Sequence, residues 1–336
     1  MKRTQTPVPD YLTRSEPGKS KRALVLLMLL FSVTALSQEP QENQKEPGPA
    51  PDQPAVVTER PIISTGMDAE AIARKRPEAA IWLTESDKGR VLALFQPEQD
   101  SPARGALVIL SDEGVSAAAG LADSLREPLS RAGWAVMTLG LEAPPFGVQQ
   151  WLRQQGNAGP DGSENPEGEA EVDDGSAAMI TVTDPETLDD ALNQYRDQVV
   201  YSLNAAVDRL RSKDYQRIVL AGVGRAAGHV TRQARQDARA SDLIWIAPYF
   251  YADESGSLTG LLESVASPSI LELYSSYPAD EAVDRSARER AAALERAGIT
   301  GYRQQPAAMA RPPRPREAKM LANRISSWLR STARDR

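Results

Sequence analysis

Short apolar segments alternate with longer segments of helical periodicity along most of this 336-residue chain. Apolar runs bounded by turn-forming residues are typical of buried strands. Because strands that alternate with helices form parallel sheets, the pattern predicts an α/β domain with a mostly parallel sheet and helices on both faces. The segments predicted as strands lie at 91–95, 106–110, 134–139, 218–221, 243–247, 270–274 and 302–304.

Helical segments fill the intervals between these strands. Asp184 followed by Pro185 predicts a helix start, because aspartate caps helix N-termini and proline fits the first helical position. One apolar stripe then runs from Leu188 to Leu210. Further helices are predicted at about 121–129, 225–237, 280–297 and 320–329.

The first 37 residues predict a secretory signal peptide. A basic leader precedes an apolar run over residues 23–36, and Ala35-Leu36-Ser37 fits a small-x-small cleavage site. The run is shorter than the roughly 20 residues that span a bilayer, although the long leader leaves an uncleaved N-terminal anchor as the alternative. We therefore expect a periplasmic or extracytoplasmic protein that contacts a membrane only through this segment, if it stays uncleaved.

Two further segments have compositions that cannot bury a core. Residues 38–60 are rich in proline, glutamate and glutamine, which predicts a disordered linker. Residues 154–176 are acidic and rich in glycine, which predicts a disordered insertion within the folded part. The remaining chain predicts a single domain over residues 61–332.

Charge and cysteine content limit the partners. The chain carries a formal net charge of -7 and contains no cysteine. Its first 22 residues hold six basic and two acidic side chains, so the rest of the chain is more acidic still. Nucleic-acid-binding domains are usually basic, so a nucleic-acid partner is not expected. The sequence has no histidine–cysteine cluster for zinc, and it predicts neither a metal nor a cofactor.

One turn admits three interpretations. Gly222-x-Gly224-x-x-Ala227 fits a dinucleotide fingerprint, but three strands precede it and the acidic Asp242 comes before the next strand. Gly222-Val-Gly224-Arg225-Ala226 also fits the frame of a nucleophile elbow, G-x-S-x-G, with Gly224 at the position of the nucleophile. The third interpretation is structural, since glycines let a strand and a helix pack closely.

The order of segments resembles a bacterial α/β-hydrolase-like family of unknown function (domain of unknown function 3530). The resemblance rests on the signal peptide and proline-rich linker and on five segments before a final helix: 104–114, 129–134, 217–228, 271–274 and 301–304. It implies an α/β-hydrolase-like fold over residues 60–330 or so. It implies no particular reaction.

An α/β-hydrolase triad needs a nucleophile, an acid and then a histidine in chain order. The only histidine, His229, follows the turn on the same helix, where we expect a partly exposed residue that cannot reach back over the turn. No histidine follows the last predicted strand. Asp280 stands at the position of the acid, but it is equally suited to cap a helix, which is the role we favour.

The segment Ser111-Asp112-Glu113-Gly114 corresponds to the loop that helps to form the oxyanion hole in these hydrolases. Two carboxylates there would repel a developing oxyanion. With Asp280, the two carboxylates could instead hold a hard cation. A serine other than the residue at position 224, such as Ser111 or Ser275, could act as the nucleophile, but the sequence places no base near either one to activate its hydroxyl.

These observations favour an exported α/β-hydrolase-like protein that lacks a recognisable triad. The predicted role is non-catalytic binding or scaffolding, with an envelope partner or a small ligand that the sequence does not identify. The alternative is an esterase-type hydrolase with a non-standard constellation of Ser111, Arg225 and His229. In that hypothesis the N–H groups of residues 222–226 and the guanidinium of Arg225 attract an anionic substrate. A third alternative is an inert structural component.

Overall fold

The computed structural model describes residues 67–83, 90–157, 185–236, 242–263, 269–277 and 281–333. The predicted signal peptide, the linker, most of the acidic insertion and Asp280 lie outside these ranges. Among the described helices, none is both long and apolar enough to span a bilayer.

Eight strands form one sheet in the order β1-β2-β4-β3-β5-β6-β7-β8. The strands are β1 (Ala80–Leu83), β2 (Val91–Gln96), β3 (Ala106–Glu113), β4 (Ala135–Leu141), β5 (Ile218–Val223), β6 (Asp242–Ile246), β7 (Ser269–Ser275) and β8 (Tyr302–Ala307). Strand β2 runs antiparallel to both of its neighbours, and β3 to β8 run parallel to one another. This order and the single reversed strand are those of the α/β-hydrolase fold, so the predicted fold class is confirmed.

Eight α-helices accompany the sheet in the described part of the chain. They are α1 (Ala69–Lys75), α2 (Gly120–Arg131), α3 (Phe146–Asn157), α4 (Pro185–Arg211), α5 (Ala226–Gln236), α6 (Ala252–Glu263), α7 (Glu281–Arg296) and α8 (Ala318–Thr332). Helices α2 and α8 cover one face of the sheet, and α3 to α7 contribute to the apolar core on the other face. Coverage on both faces explains why the central strands read as continuous apolar runs.

The structure contains elements that the sequence did not predict, and some predicted elements have other boundaries. Strand β1 and helices α1, α3 and α6 were not predicted, and α3 continues to Asn157, so the predicted insertion begins inside a helix. Strand β3 extends beyond its apolar run to Glu113, which pairs with Leu141 across a register shift. The segment predicted as an oxyanion loop is therefore mostly strand, and only Gly114 lies in the turn that follows.

Arg217 joins the last helix to the amino-terminal end of the sheet. Its guanidinium donates to the buried carboxylate of Asp242 at 2.9 and 3.1 Å and to the carbonyl of Leu329 at 3.0 Å. It also donates to the hydroxyl of Thr332 at 2.8 Å and lies over the ring of Trp134. Because a buried carboxylate without partners is costly, this set of bonds fixes α8 against the sheet.

Candidate functional site

The turn between β5 and α5 has the geometry of a nucleophile elbow without a nucleophile. Gly224 has φ +58, in the left-handed region that glycine adopts without strain. A Cβ on Gly222 would lie 2.5 Å from the carbonyl carbon of Ala226, so the helix crosses the strand too closely for a side chain there. The structure thus brings Gly222, Gly224, Arg225 and Ala226 together in one sharp strand-to-helix turn, as the sequence predicts.

The carboxylate of Asp112 occupies the space above this turn. A Cβ on Gly224 would lie within 2.3 to 2.4 Å of both carboxylate oxygens and the carboxyl carbon of Asp112. The backbone N–H of Arg225 donates to Oδ1 of Asp112 at 2.9 Å, and the N–H of Glu113 donates to the same oxygen at 2.9 Å. An internal anion therefore stands where a side chain on residue 224 would point.

Arg225 lies between two tyrosines that follow β6. Its guanidinium carbon is 4.4 Å from the ring centroid of Tyr249 and 4.0 Å from that of Tyr251. Its Nε lies 3.5 Å from Oε2 of Glu113. The exposed Arg311 lies over Tyr249, 5.1 Å from the ring centroid. Stacking on aromatic rings and the nearby carboxylate both stabilise the half-buried guanidinium.

Glu113 is the titratable group of this cluster. The hydroxyl of Tyr251 donates to its two carboxylate oxygens, at 2.5 and 2.7 Å. Burial raises the pKa of Glu113 to about 7, although the hydrogen bond from Tyr251 and the charge of Arg225 act in the opposite direction. Burial and the charge of Glu113 also raise the pKa of Tyr251 well above its usual range. A carboxyl group that titrates near neutral pH can exchange protons with a ligand.

A second buried ionic group lies beside the first. Glu254 on α6 is 2 % exposed and lies 3.5 Å from both Arg196 of α4 and Arg232 of α5. The backbone N–H of Tyr251 also donates to it, at 3.3 Å. The carboxylate therefore links three helices to the loop that carries the two tyrosines.

His229 is buried, so the expectation of a partly exposed side chain was wrong. It is 1 % exposed because α4 and α6 cover α5, and its ring meets Tyr195 edge-on at 5.4 Å between centroids. Within the described ranges neither ring nitrogen has a hydrogen-bond partner. Burial, together with the charges of Arg196 and Arg232, lowers the pKa of His229 to about 3. The imidazole is therefore neutral throughout the physiological range.

The candidate nucleophiles serve structural hydrogen bonds. The hydroxyl of Ser111 is buried and donates to the carbonyl of Ser116 at 3.2 Å, and that of Ser275 donates to the carbonyl of Met309 at 2.6 Å. No hydrogen bond joins Ser111 to His229 or Arg225 in the part of the chain that the structure describes. The same part contains no group of three or more histidine, aspartate or glutamate side chains that could hold a metal ion.

Sequence reasoning missed the residues that surround Arg225 and His229. The sequence does contain a signal for the two tyrosines. Tyr249-Phe-Tyr251 comes shortly after β6, a buried strand that lies beside β5, and β5 leads into the turn at Gly224. In parallel sheets, the segments after neighbouring strands meet at the carboxyl edge. The residues not anticipated are Tyr195, Arg196, Arg232, Tyr249, Tyr251 and Glu254.

A family model described as "Protein of unknown function (DUF3530)" matches residues 21–331. The sequence matches no curated protein.

Several solved structures are similar to this chain at low identity and with TM-scores below 0.5. Est1E from Butyrivibrio proteoclasticus is similar with a TM-score of 0.46 and 9 % identity, over 75 % of this chain and 98 % of that one. The esterase domain of a Rhodothermus marinus protein has a TM-score of 0.46 and 12 % identity, over 75 % and 97 %. A dienelactone hydrolase from Anabaena variabilis has a TM-score of 0.44 and 14 % identity, over 75 % and 96 %.

Proposed function

The chain belongs to the DUF3530 family of proteins of unknown function, as the order of its segments predicted, and we propose that it is a non-catalytic binding protein of the cell envelope. In this proposal the α/β-hydrolase-like fold is retained and the hydrolytic machinery is lost. The position of the Asp112 carboxylate carries the proposal.

Acyl transfer at an elbow needs a nucleophile above the turn and N–H donors for the oxyanion. Gly224 supplies no nucleophile, and the N–H of Arg225, which follows the nucleophile position, already donates to Asp112. A negative carboxylate at this place also repels the negative charge that develops on a tetrahedral intermediate. The turn is thus filled by the protein's own anion, which supports a role without ester hydrolysis.

The only histidine does not supply a general base. A base whose conjugate acid has a pKa of about 3 accepts protons weakly at neutral pH, because effective general bases have pKa values near the working pH. His229 is also buried behind Tyr195, so a substrate at the carboxyl edge of the sheet does not meet it directly.

The second candidate is a hydrolase with a non-standard constellation. One observation favours it, namely the carboxyl group of Glu113 with its pKa near 7, since catalytic acids and bases often have such values. The proposed constellation of Ser111, Arg225 and His229 gains no support, because the hydroxyl of Ser111 is committed to a backbone carbonyl.

Turnover of short-chain esters and labelling by a serine-reactive fluorophosphonate test the proposal on the full chain. We expect neither. Labelling of one serine that disappears in its alanine variant, with Ser111→Ala examined first, would overturn the non-catalytic proposal. Ser130→Ala is the matched control, because its buried hydroxyl also donates to a backbone carbonyl, that of Pro97.

The envelope location rests on the predicted signal peptide at residues 1–37. Fractionation of cells that express the full chain, followed by N-terminal sequencing, tests it. We expect the protein in the periplasmic fraction, beginning after about Ser37. Recovery in the cytosol with an intact N-terminus would contradict this part of the proposal.

A further inference from the structure

A cavity of about 520 Å³ lies between α1 and α4, apart from the turn at Gly224. Leu110, Gly140 and Leu141, at the carboxyl ends of β3 and β4, form part of its lining. Its volume falls within the range of small-molecule sites, roughly 300–1,000 Å³. None of Gly222, Gly224, Arg225 and Ala226 lines it, and it shares with the site described above the side chain of Tyr195, which packs against His229.

The two walls of the cavity differ in polarity. On α4, Gln194, Gln198 and Ser202 recur at a spacing of four residues, so their amide and hydroxyl groups follow one line along the helix. Apart from Arg90 and Glu142, the rest of the lining is mostly apolar and includes Met67 and Ile72, before and within α1. Three residues at this spacing extend over about 12 Å of helix, at 1.5 Å per residue.

The charged residues of the lining already have other roles or face solvent. Arg90 pairs with Glu70 at 2.5 Å and lies over the ring of Trp82. Glu142 is exposed, and its backbone carbonyl accepts the hydroxyl of Tyr195 at 2.8 Å. An anion brought into the cavity would compete with Glu70 for Arg90, and the rest of the lining offers no positive charge to compensate for the water that the anion loses.

We propose that this cavity binds an elongated, uncharged small molecule of acyl type, with an apolar chain and a neutral amide, ester or hydroxyl group. The chain lies against α1 and the floor of the cavity, and the polar group bonds to the glutamines of α4. The inference rests on the proposed binding function and names the class of ligand.

The test uses the full chain and N-phenyl-1-naphthylamine, an uncharged fluorophore whose emission rises in apolar sites. We expect saturable binding, displaced by octanamide at concentrations at least about tenfold lower than by octanoate, which corresponds to 1.4 kcal/mol. The two competitors share a chain length and differ in charge. Equal competition by both, or no saturable binding, overturns the proposal.

A matched pair of variants locates the binding. Ala191→Trp places an indole in the cavity, and we expect it to weaken displacement by octanamide at least about tenfold. Asn193→Trp puts the same side chain on the exposed side of the same helix, and we expect no change. Both variants keep the apolar N-terminal segment, so its contribution to fluorescence cancels. Equal behaviour of the two variants overturns the location.

Failure of this inference is distinguishable from failure of the proposed function. Ester turnover would overturn the non-catalytic role and leave probe binding as measured. Absence of saturable probe binding would overturn the cavity assignment and leave the absence of turnover as measured.

Discussion

Tyr251 donates its hydroxyl to both carboxylate oxygens of Glu113, and the two residues are 138 positions apart in the chain. The bond joins the end of β3 to the loop after β6 beside the guanidinium of Arg225. It favours the charged form of Glu113, but burial has the larger effect, and the carboxyl group keeps its proton up to a pH of about 7.

Glu113 is expected to make the protein less stable as the pH rises. Its pKa is about 7 in the folded state and 4.5 ordinarily, so the folded state binds more protons between these values. The stabilisation is present below pH 4.5 and is lost as the pH approaches 7; from pH 5 to 7 the loss is on the order of 2 kcal/mol. Glu113→Gln should remove this contribution from the pH profile of the free energy of unfolding, measured with urea at several pH values. The exposed Glu127→Gln is the control, and a Glu113→Gln profile that overlays the wild type would contradict the assignment.

His229 is expected to contribute a pH dependence of opposite sign. Its folded-state pKa of about 3 lies below the ordinary 6.5, so its stabilisation is present above pH 6.5 and is lost as the pH falls. Between pH 7 and 5 the loss is on the order of 2 kcal/mol, which nearly offsets the change from Glu113. His229→Leu should therefore gain stability as the pH falls from 7 to 5, whereas Glu113→Gln should lose it.

An NMR titration of His229 separates its contribution to the pH dependence from that of Glu113. His229 is the only histidine, so its imidazole resonances in an untagged protein can be followed without assignment. We expect constant shifts from pH 8 to 5 in the folded protein and an ordinary titration in urea. A folded-state midpoint near 6.5 would show that the imidazole is not desolvated as described.

Gly224→Ala is expected to destabilise the fold through two separate effects. The left-handed backbone costs a non-glycine residue about 1–2 kcal/mol, and the new Cβ collides with the Asp112 carboxylate. Gly298→Ala measures the first effect alone, because Gly298 has φ +73 and nothing within 4 Å of a Cβ. We expect a loss of about 3 kcal/mol for Gly224→Ala and about 1 kcal/mol for Gly298→Ala in urea unfolding.

The Asp112→Ala background tests the collision. Removing the carboxylate should make Gly224→Ala cost about as much as Gly298→Ala, which gives a coupling of about 2 kcal/mol in a double-mutant cycle. Additive losses would mean that the Asp112 carboxylate does not occupy the space above the turn.

Glu254→Gln is expected to be among the more destabilising single changes. The side chain is 2 % exposed, and its carboxylate forms ion pairs with the guanidinium groups of Arg196 and Arg232. Loss of one partner from a buried ionic group typically costs about 3–5 kcal/mol. Glu263→Gln, at the exposed end of the same helix, should cost less than about 0.5 kcal/mol. Similar unfolding midpoints for the two variants would rule out a structural role for this ionic group.

The sequence predicts the sheet better than it predicts the site, for physical reasons. Strands β3 to β7 are covered on both faces and so leave apolar runs, whereas β1 is a four-residue edge strand that is mostly half-buried and leaves no such signal. The glycine spacing identifies the turn because the close approach of strand and helix is a local requirement.

The orientation of side chains at the turn depends on distant contacts. The extension of β3 to Glu113, across a register shift, carries Asp112 over Gly224, and no local pattern encodes that extension. His229 is buried by α4 and α6, and its helix alone gives no measure of this coverage. The sequence therefore identifies the glycine at position 224 but not the carboxylate that lies above it.

The bonds of Arg217 have a consequence for the order of synthesis. Two of its acceptors, the carbonyl of Leu329 and the hydroxyl of Thr332, belong to the final turns of α8. Leu321, Ile325 and Leu329 of that helix also complete the apolar layer over α2. Domains generally fold as units, and here the face of the sheet that α2 and α8 share is only partly covered until residues near 332 have been synthesised.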